Sequence, residues 1–129
     1  MSLLSHSKLA QIEERCNVVL ENECVKFVGV INNLGNLIAG RFGDGMQPVG
    51  TPEIRKMMFM QLKLDLNMRK DYDGLFGPVD FVISKRKNAE KISIPIDDYM
   101  VLLITELDFN REEITNIKNE FEKFILERK

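Results

Sequence analysis

The chain has no tryptophan, one histidine, two cysteines and four prolines in 129 residues. Each shortage excludes something. A zinc centre draws on four nitrogen or sulfur ligands, and His6, Cys16 and Cys24 are too few and too scattered to supply them. No metal or cofactor is therefore expected. Two cysteines do not make a disulfide framework, so a reduced, cytoplasmic setting is the expectation. A Cys–His nucleophilic pair is equally poor, because His6 falls in an N-terminal segment, residues 1–6, that reads as flexible. No stretch approaches the roughly 20 apolar residues that span a bilayer. The opening MSLLSHSKLAQIEER also lacks the basic segment and apolar run of a secretory leader. Neither sign of charge dominates: 18 basic residues face 20 acidic ones, for a net charge of -2. Nothing in that balance draws the whole molecule to nucleic acid. The known catalytic signatures HExxH, the serine-hydrolase elbow and the deaminase constellation are absent as well.

What is present is a hydrophobic fraction of 44% with 29% charged residues, enough for one domain with a real core. That domain is read over residues 7–127. Leu9, Ile12, Cys16 and Val19 recur at helical spacing and predict a first helix over 7–21. Val25–Asn32 and Leu37–Phe42 read as two strands joined by Asn32, Asn33, Gly35 and Asn36, residue types that tolerate left-handed backbone. GDGMQPVG, residues 43–50, is a loop. Thr51-Pro52-Glu53 marks a helix start: threonine caps, proline fits the first turn, and glutamate favours the positive end. The helix runs to about Lys70, although LKLDLNM, residues 62–68, alternates as a strand would. The cap, the helix-forming composition and the lack of a break favour helix. Three more strands follow: Val79–Lys85, Lys91–Pro95 and Tyr99–Glu106. Pro95 should lie at a strand end, bulge or edge, and the apolar YMVLLITE should be central. Asn110 and Glu113 form a capping box before a last helix ending near Leu126, with Arg128 and Lys129 at its negative end. The order α-β-β-α-β-β-β-α predicts an α+β fold, a five-stranded antiparallel sheet flanked by helices.

The central helix is unusual. Lys56, Lys63, Asn67 and Lys70 make one narrow polar stripe when projected at about 100° per residue. Ile54, Met57, Met58, Phe59, Met60, Leu62, Leu64, Leu66 and Met68 spread around most of the rest. A helix with so little polar surface needs cover on more than one side, and a second copy of the chain is the simplest cover.

This order of elements, opened by the hairpin VKFVGVINNLGNLIAGRF, resembles the roadblock/LC7 family, and most of all small archaeal proteins of that kind. Val28, Val30 and Ile31 match its first strand, Asn33 and Gly35 its turn, and Leu37, Ile38 and Ala39 its second strand. The resemblance implies a layout shared with profilin and longin domains. It also implies a homodimer or heterodimer formed through the central helix and the third strand, here Ile54–Met68 with Phe81 and Ile83. The family roles it implies are regulation of small GTPases, scaffolding, and motility or transport complexes. The long GDGMQPVG connection and the Met-rich helix depart from the family pattern.

Candidate chemical sites have plainer explanations. Gly35 belongs to no phosphate loop: GVINNLGN matches neither GxxxxGK[S/T] nor GxGxxG, and it stands between strands rather than before a helix. GRFGDG, residues 40–45, has glycines but no Lys-Ser/Thr pair. Asp97 and Asp98 end a strand, Asp71 and Asp73 fall in an exit loop, and Glu112 and Glu113 open a helix. No pair of them shows the convergence that acid–base catalysis needs. Lys85, Arg86, Lys87 and Lys91 cluster around a hairpin and make RNA a second class of partner, against the reading of a solvated turn that opposes aggregation. The methionines allow a third reading, a small-ligand sensor on the same scaffold. The leading expectation is a dimeric, non-catalytic interaction module.

Overall fold

The computed structural model describes residues 4–48 and 50–126. Helix α1 (His6–Val19) begins where Ser5 accepts a hydrogen bond from the Lys8 amide at 3.2 Å. Of the six residues expected to precede the domain, Ser5 is thus a cap and Leu4 packs on the core, while residues 1–3 lie outside those described. The hairpin pairs β1 (Val25–Ile31) with β2 (Leu37–Phe42), as its sequence predicts. Its turn is built by Asn32, whose Oδ1 accepts from the amides of Leu34 and Asn36 at 2.9 and 3.0 Å. Gly35 takes φ +80, the left-handed conformation that glycine adopts without a Cβ clash.

Helix α2 (Pro52–Arg69) starts at Thr51, whose hydroxyl accepts from the Ile54 amide at 3.1 Å. The alternating stretch 62–68 is helical. The segment after it, expected to be an exit loop, contains one 3₁₀ turn (Lys70–Tyr72) and a one-turn helix, α3 (Asp73–Phe76). Strands β3 (Val82–Lys85), β4 (Glu90–Ile96) and β5 (Tyr99–Thr105) form the meander. Asn110 caps α4 (Arg111–Ile125) by accepting from the Glu113 amide at 3.1 Å. Arg128 and Lys129, expected at the end of that helix, lie outside the described residues.

The sheet order is β2-β1-β5-β4-β3, all antiparallel, with the apolar β5 in the centre. β3 begins at Val82 rather than Val79, and the partner strand supplies a reason. Val82 pairs with Ser93, and two residues on stands Pro95, which has no N–H to offer a longer β3. Pro95 lies inside β4 by sequence but beyond the reach of β3, so its missing donor disrupts no ladder.

Side-chain alternation divides the core in two. On one face, Val28, Val30, Ile92, Ile94, Val101 and Leu103 meet Ile12 and Cys16 of α1 and Ile114, Ile117 and Phe121 of α4. On the other, Phe27, Ile31, Met100 and Leu102 meet Phe59 and Leu66, the buried apolar residues of α2 among those described. The second layer is thin. One helix covers a face that two helices cover on the opposite side.

Candidate interaction surface

Helix α2 presents its inner face to the sheet through Phe59 and Leu66, with Met58 and Leu62 partly buried beside them. Met60 is also partly buried, seated over the turn: a Cβ added to Gly35 would lie 3.0 Å from its Cε. The turn glycine therefore serves packing as well as chain reversal. The outer face is a row of large apolar side chains. Ile54, Met57, Leu64 and Met68 are 57%, 62%, 51% and 70% exposed. With Gln61 between them they follow alternating steps of three and four, the spacing of a helix-to-helix seam. The row does not stop with the helix: Tyr72, Leu75 and Phe76 extend it, the last two 78% and 83% exposed. Sequence reading misses these three because their segment looks like a loop. The signal available is their apolar character in a segment with no interior face.

The polar stripe expected on α2 needs correction. Lys56 and Lys70 are exposed, but Lys63 is only 2% exposed and Asn67 is partly buried. The first half of the helix lies over the β1–β2 hairpin, with Phe59 stacked on Phe27 and Met60 against Gly35, and Lys63 comes within electrostatic reach of Asp97 and Asp98 in the β4–β5 turn. Burial and the neighbouring Lys70 push the Lys63 ammonium below its usual range, opposed by Asp98 and Asp97. The helix has a lysine inside and methionines outside, the reverse of a solvent-facing helix.

Phe81 and Ile83 lie elsewhere. Both are partly buried and pack against the core layer beneath α1 and α4, whereas Val82 packs on the α2 side. The α2 outer row and the Phe81 and Ile83 side chains thus lie on different sides of the sheet, with Val82 on the α2 side.

The two sheet edges differ. At β2, the Gly40 amide donates to Glu13 Oε1 of α1 at 3.0 Å, and Arg41 bonds Asn17 of the same helix. Helix α1 closes that edge. At β3, no backbone hydrogen bond from another element reaches the free side among the described residues. An open strand edge is a template for pairing with another chain.

The basic hairpin is less unified than its sequence. Lys85 already pairs with Asp108 at 3.2 Å. Arg86 closes the turn through its amide to the Ala89 carbonyl at 2.9 Å, and Arg86 and Lys87 are exposed. Lys91 is partly buried, its ammonium pushed down by desolvation and by Arg86. Cys16 is buried and its thiol is pushed up to about 12, chiefly by burial and then by Glu13, while Cys24 is exposed. No group of three or more His, Cys, Asp or Glu among the described residues is arranged to hold a metal ion. No described helix is long and apolar enough to cross a membrane.

Comparison with solved structures identifies this layout. The gliding protein MglB from Thermus thermophilus superposes with a TM-score of 0.76 at 8% identity, over 95% of this chain and 93% of its own. A roadblock/LC7 domain from Streptomyces avermitilis follows at 0.67 and 7%, over 86% and 91%. The fold is a roadblock/LC7 fold. Profilin II of Acanthamoeba castellanii is also similar in fold, at 0.52 and 11% over 81% and 87%. No protein-family model matches the chain, and no curated protein matches it in sequence. Identities this low carry the architecture, not the role.

Proposed function

We propose that this chain is a non-catalytic, homodimeric interaction module that regulates a small GTPase or assembles a protein complex. The observation behind the dimer is the outer row of α2, Ile54, Met57, Leu64 and Met68, continued by Tyr72, Leu75 and Phe76. So many large apolar side chains in one strip exceed the scattered apolar exposure of an ordinary monomer surface. The unguarded β3 edge, whose Val82 packs on the α2 side of the sheet, supports a contact through backbone hydrogen bonds, with Phe81 and Ile83 on the opposite face. The roadblock resemblance, which places the family's subunit contact on these two elements, agrees. It is also the support for a GTPase or complex partner.

Two measurements test the reading. Light scattering over a range of concentrations should give a dimer. Met68→Asp should weaken it by at least about tenfold without unfolding the chain, because a charge placed in an apolar contact loses its hydration. A wild-type chain that stays monomeric at high micromolar concentration would end the dimer proposal. Crosslinked pull-down from native cells addresses the partner. Recovery of a small GTPase supports the regulatory role, and recovery of RNA redirects it to the basic hairpin.

A further inference from the structure

Two Asp-Gly pairs occur in the chain, Asp44-Gly45 and Asp73-Gly74. Such a pair is chemically distinctive. The amide nitrogen after an aspartate can attack the side-chain carboxyl carbon, and glycine, with no Cβ, leaves that nitrogen least hindered. The fold treats the two pairs in opposite ways.

Asp44 and Gly45 form the middle of a turn in the GDGMQPVG connection. The Met46 amide closes it by donating to the Gly43 carbonyl at 3.1 Å. Gly45 takes φ +77, as the second central residue of a type II turn does. Both residues are exposed, and a Cβ added at Gly45 would meet nothing within 4 Å. Among the described residues, neither the Asp44 carboxylate nor the Gly45 amide has a hydrogen-bond or ion-pair partner. The peptide between them can turn without breaking the bond that closes the loop, because glycine accepts either sign of φ. Asp73-Gly74 is fixed instead. It opens α3, and the Asp73 carbonyl accepts from the Gly77 amide at 2.8 Å. Asp73 is partly buried, with its Oδ1 sealed from solvent. Turning that peptide would break the helix, and water has no open path to that oxygen.

We infer that Asp44 is a site of spontaneous isoaspartate formation, and that the fold protects Asp73 from the same reaction. The Gly45 nitrogen attacks Cγ of the Asp44 carboxyl in its acid form. A C–N bond forms, and the side-chain hydroxyl leaves with the amide proton as water, closing a succinimide. Solvent water then opens the ring. Breaking the bond from nitrogen to Cγ restores aspartate. Breaking the bond from nitrogen to the backbone carbonyl carbon gives isoaspartate, with a free α-carboxylate and the chain running through the former side chain. No oxidant, reductant or cofactor takes part. The backbone grows by one methylene just before Met46. Met46 and Pro48 wall a groove of about 410 Å³ that Phe27, Phe42 and Phe59 also line, so the change falls at its rim.

The test ages the full chain in warm neutral buffer, with a second sample held unfolded in urea. Electron-based fragmentation of the digested chain tells isoaspartate from aspartate at each position. An isoaspartyl carboxyl methyltransferase with a labelled methyl donor counts the free α-carboxylates. The folded chain is expected to isomerise at Asp44 at least about tenfold faster than at Asp73. The unfolded chain should isomerise at both positions at comparable rates, which shows that the fold sets the difference. Asp44→Glu should remove methyl acceptance from the folded chain, because the larger ring closes far more slowly. Equal rates at the two sites in the folded chain, no isoaspartate at Asp44, or methyl acceptance that survives Asp44→Glu would each overturn the inference.

Discussion

Lys63 and Gly40 show how single residues set the limits of this fold. Lys63 sits almost wholly buried beneath α2 with its ammonium pushed below the usual range. Its folded pKa is below its unfolded one, so between the two values the unfolded chain holds more protons. The resulting penalty is fully present below the folded value. It fades as pH rises toward the unfolded lysine value, about 10.4. Lys63→Met should therefore stabilise the protein by about 1 kcal/mol at neutral pH. That gain should shrink as pH rises through this window. Urea unfolding of both proteins at matched pH reads the difference directly and cancels every other titrating group, the buried Cys16 thiol included. Gly40 has the opposite sensitivity. Its φ is +102, and an added Cβ would lie 2.1 Å from the Val28 carbonyl oxygen. Gly40→Ala should cost about 3 kcal/mol or more, since strain and collision combine and the neighbour is backbone that has little room to give. A loss under about 1 kcal/mol in the same unfolding experiment would show that β2 can move away from β1.

Between residues and the whole stands α2, where two periodicities compete. As a strand, LKLDLNM would put Leu62, Leu64, Leu66 and Met68 on one face. The helix puts Leu62 and Leu66 inside and Leu64 and Met68 outside. Leu66→Ala should then cost about 2–4 kcal/mol as a cavity-forming change, and Leu64→Ala under about 0.5 kcal/mol in the monomer. Comparable losses at both sites would contradict that division. The same helix shows what the sequence can reveal and what it cannot. Its start is legible because capping is local: Thr51, Pro52 and Glu53 act within one turn. The hairpin is legible for the same reason, since Asn32 and Gly35 settle the turn between themselves. Which face of α2 goes inside is not local. A projection groups Lys63 with Lys56 and Lys70, yet Lys63 is buried while the other two are exposed, and that depends on how the helix crosses the sheet. The start of β3 is hidden likewise, because Pro95 limits it across a register that only the folded sheet fixes. Tyr72, Leu75 and Phe76 escape because a one-turn helix is too short to show a period.

For the whole molecule, the deciding feature is that its two sheet edges are unequal. A five-stranded open sheet has two edges, and free edges on both would allow copies to add without end. Here α1 covers one, through Glu13 on the Gly40 amide and Asn17 on Arg41, and β3 is left open at the other. A single open edge allows a closed pair and nothing further, which suits the dimer proposed above. The guard is testable. Glu13→Ala removes a side chain exposed at the surface of α1, so the core should be untouched and the unfolding midpoint nearly unchanged. The Gly40 amide then lacks its acceptor, and β2 becomes a second template for pairing. Sedimentation of the variant should show species larger than the dimer growing with concentration. Combining Glu13→Ala with Met68→Asp should return small species, because the α2 and β3 contact is weakened and chains can no longer extend in both directions. If Glu13→Ala remains a clean dimer at the highest concentrations reached, Glu13 is not what keeps the β2 edge from pairing.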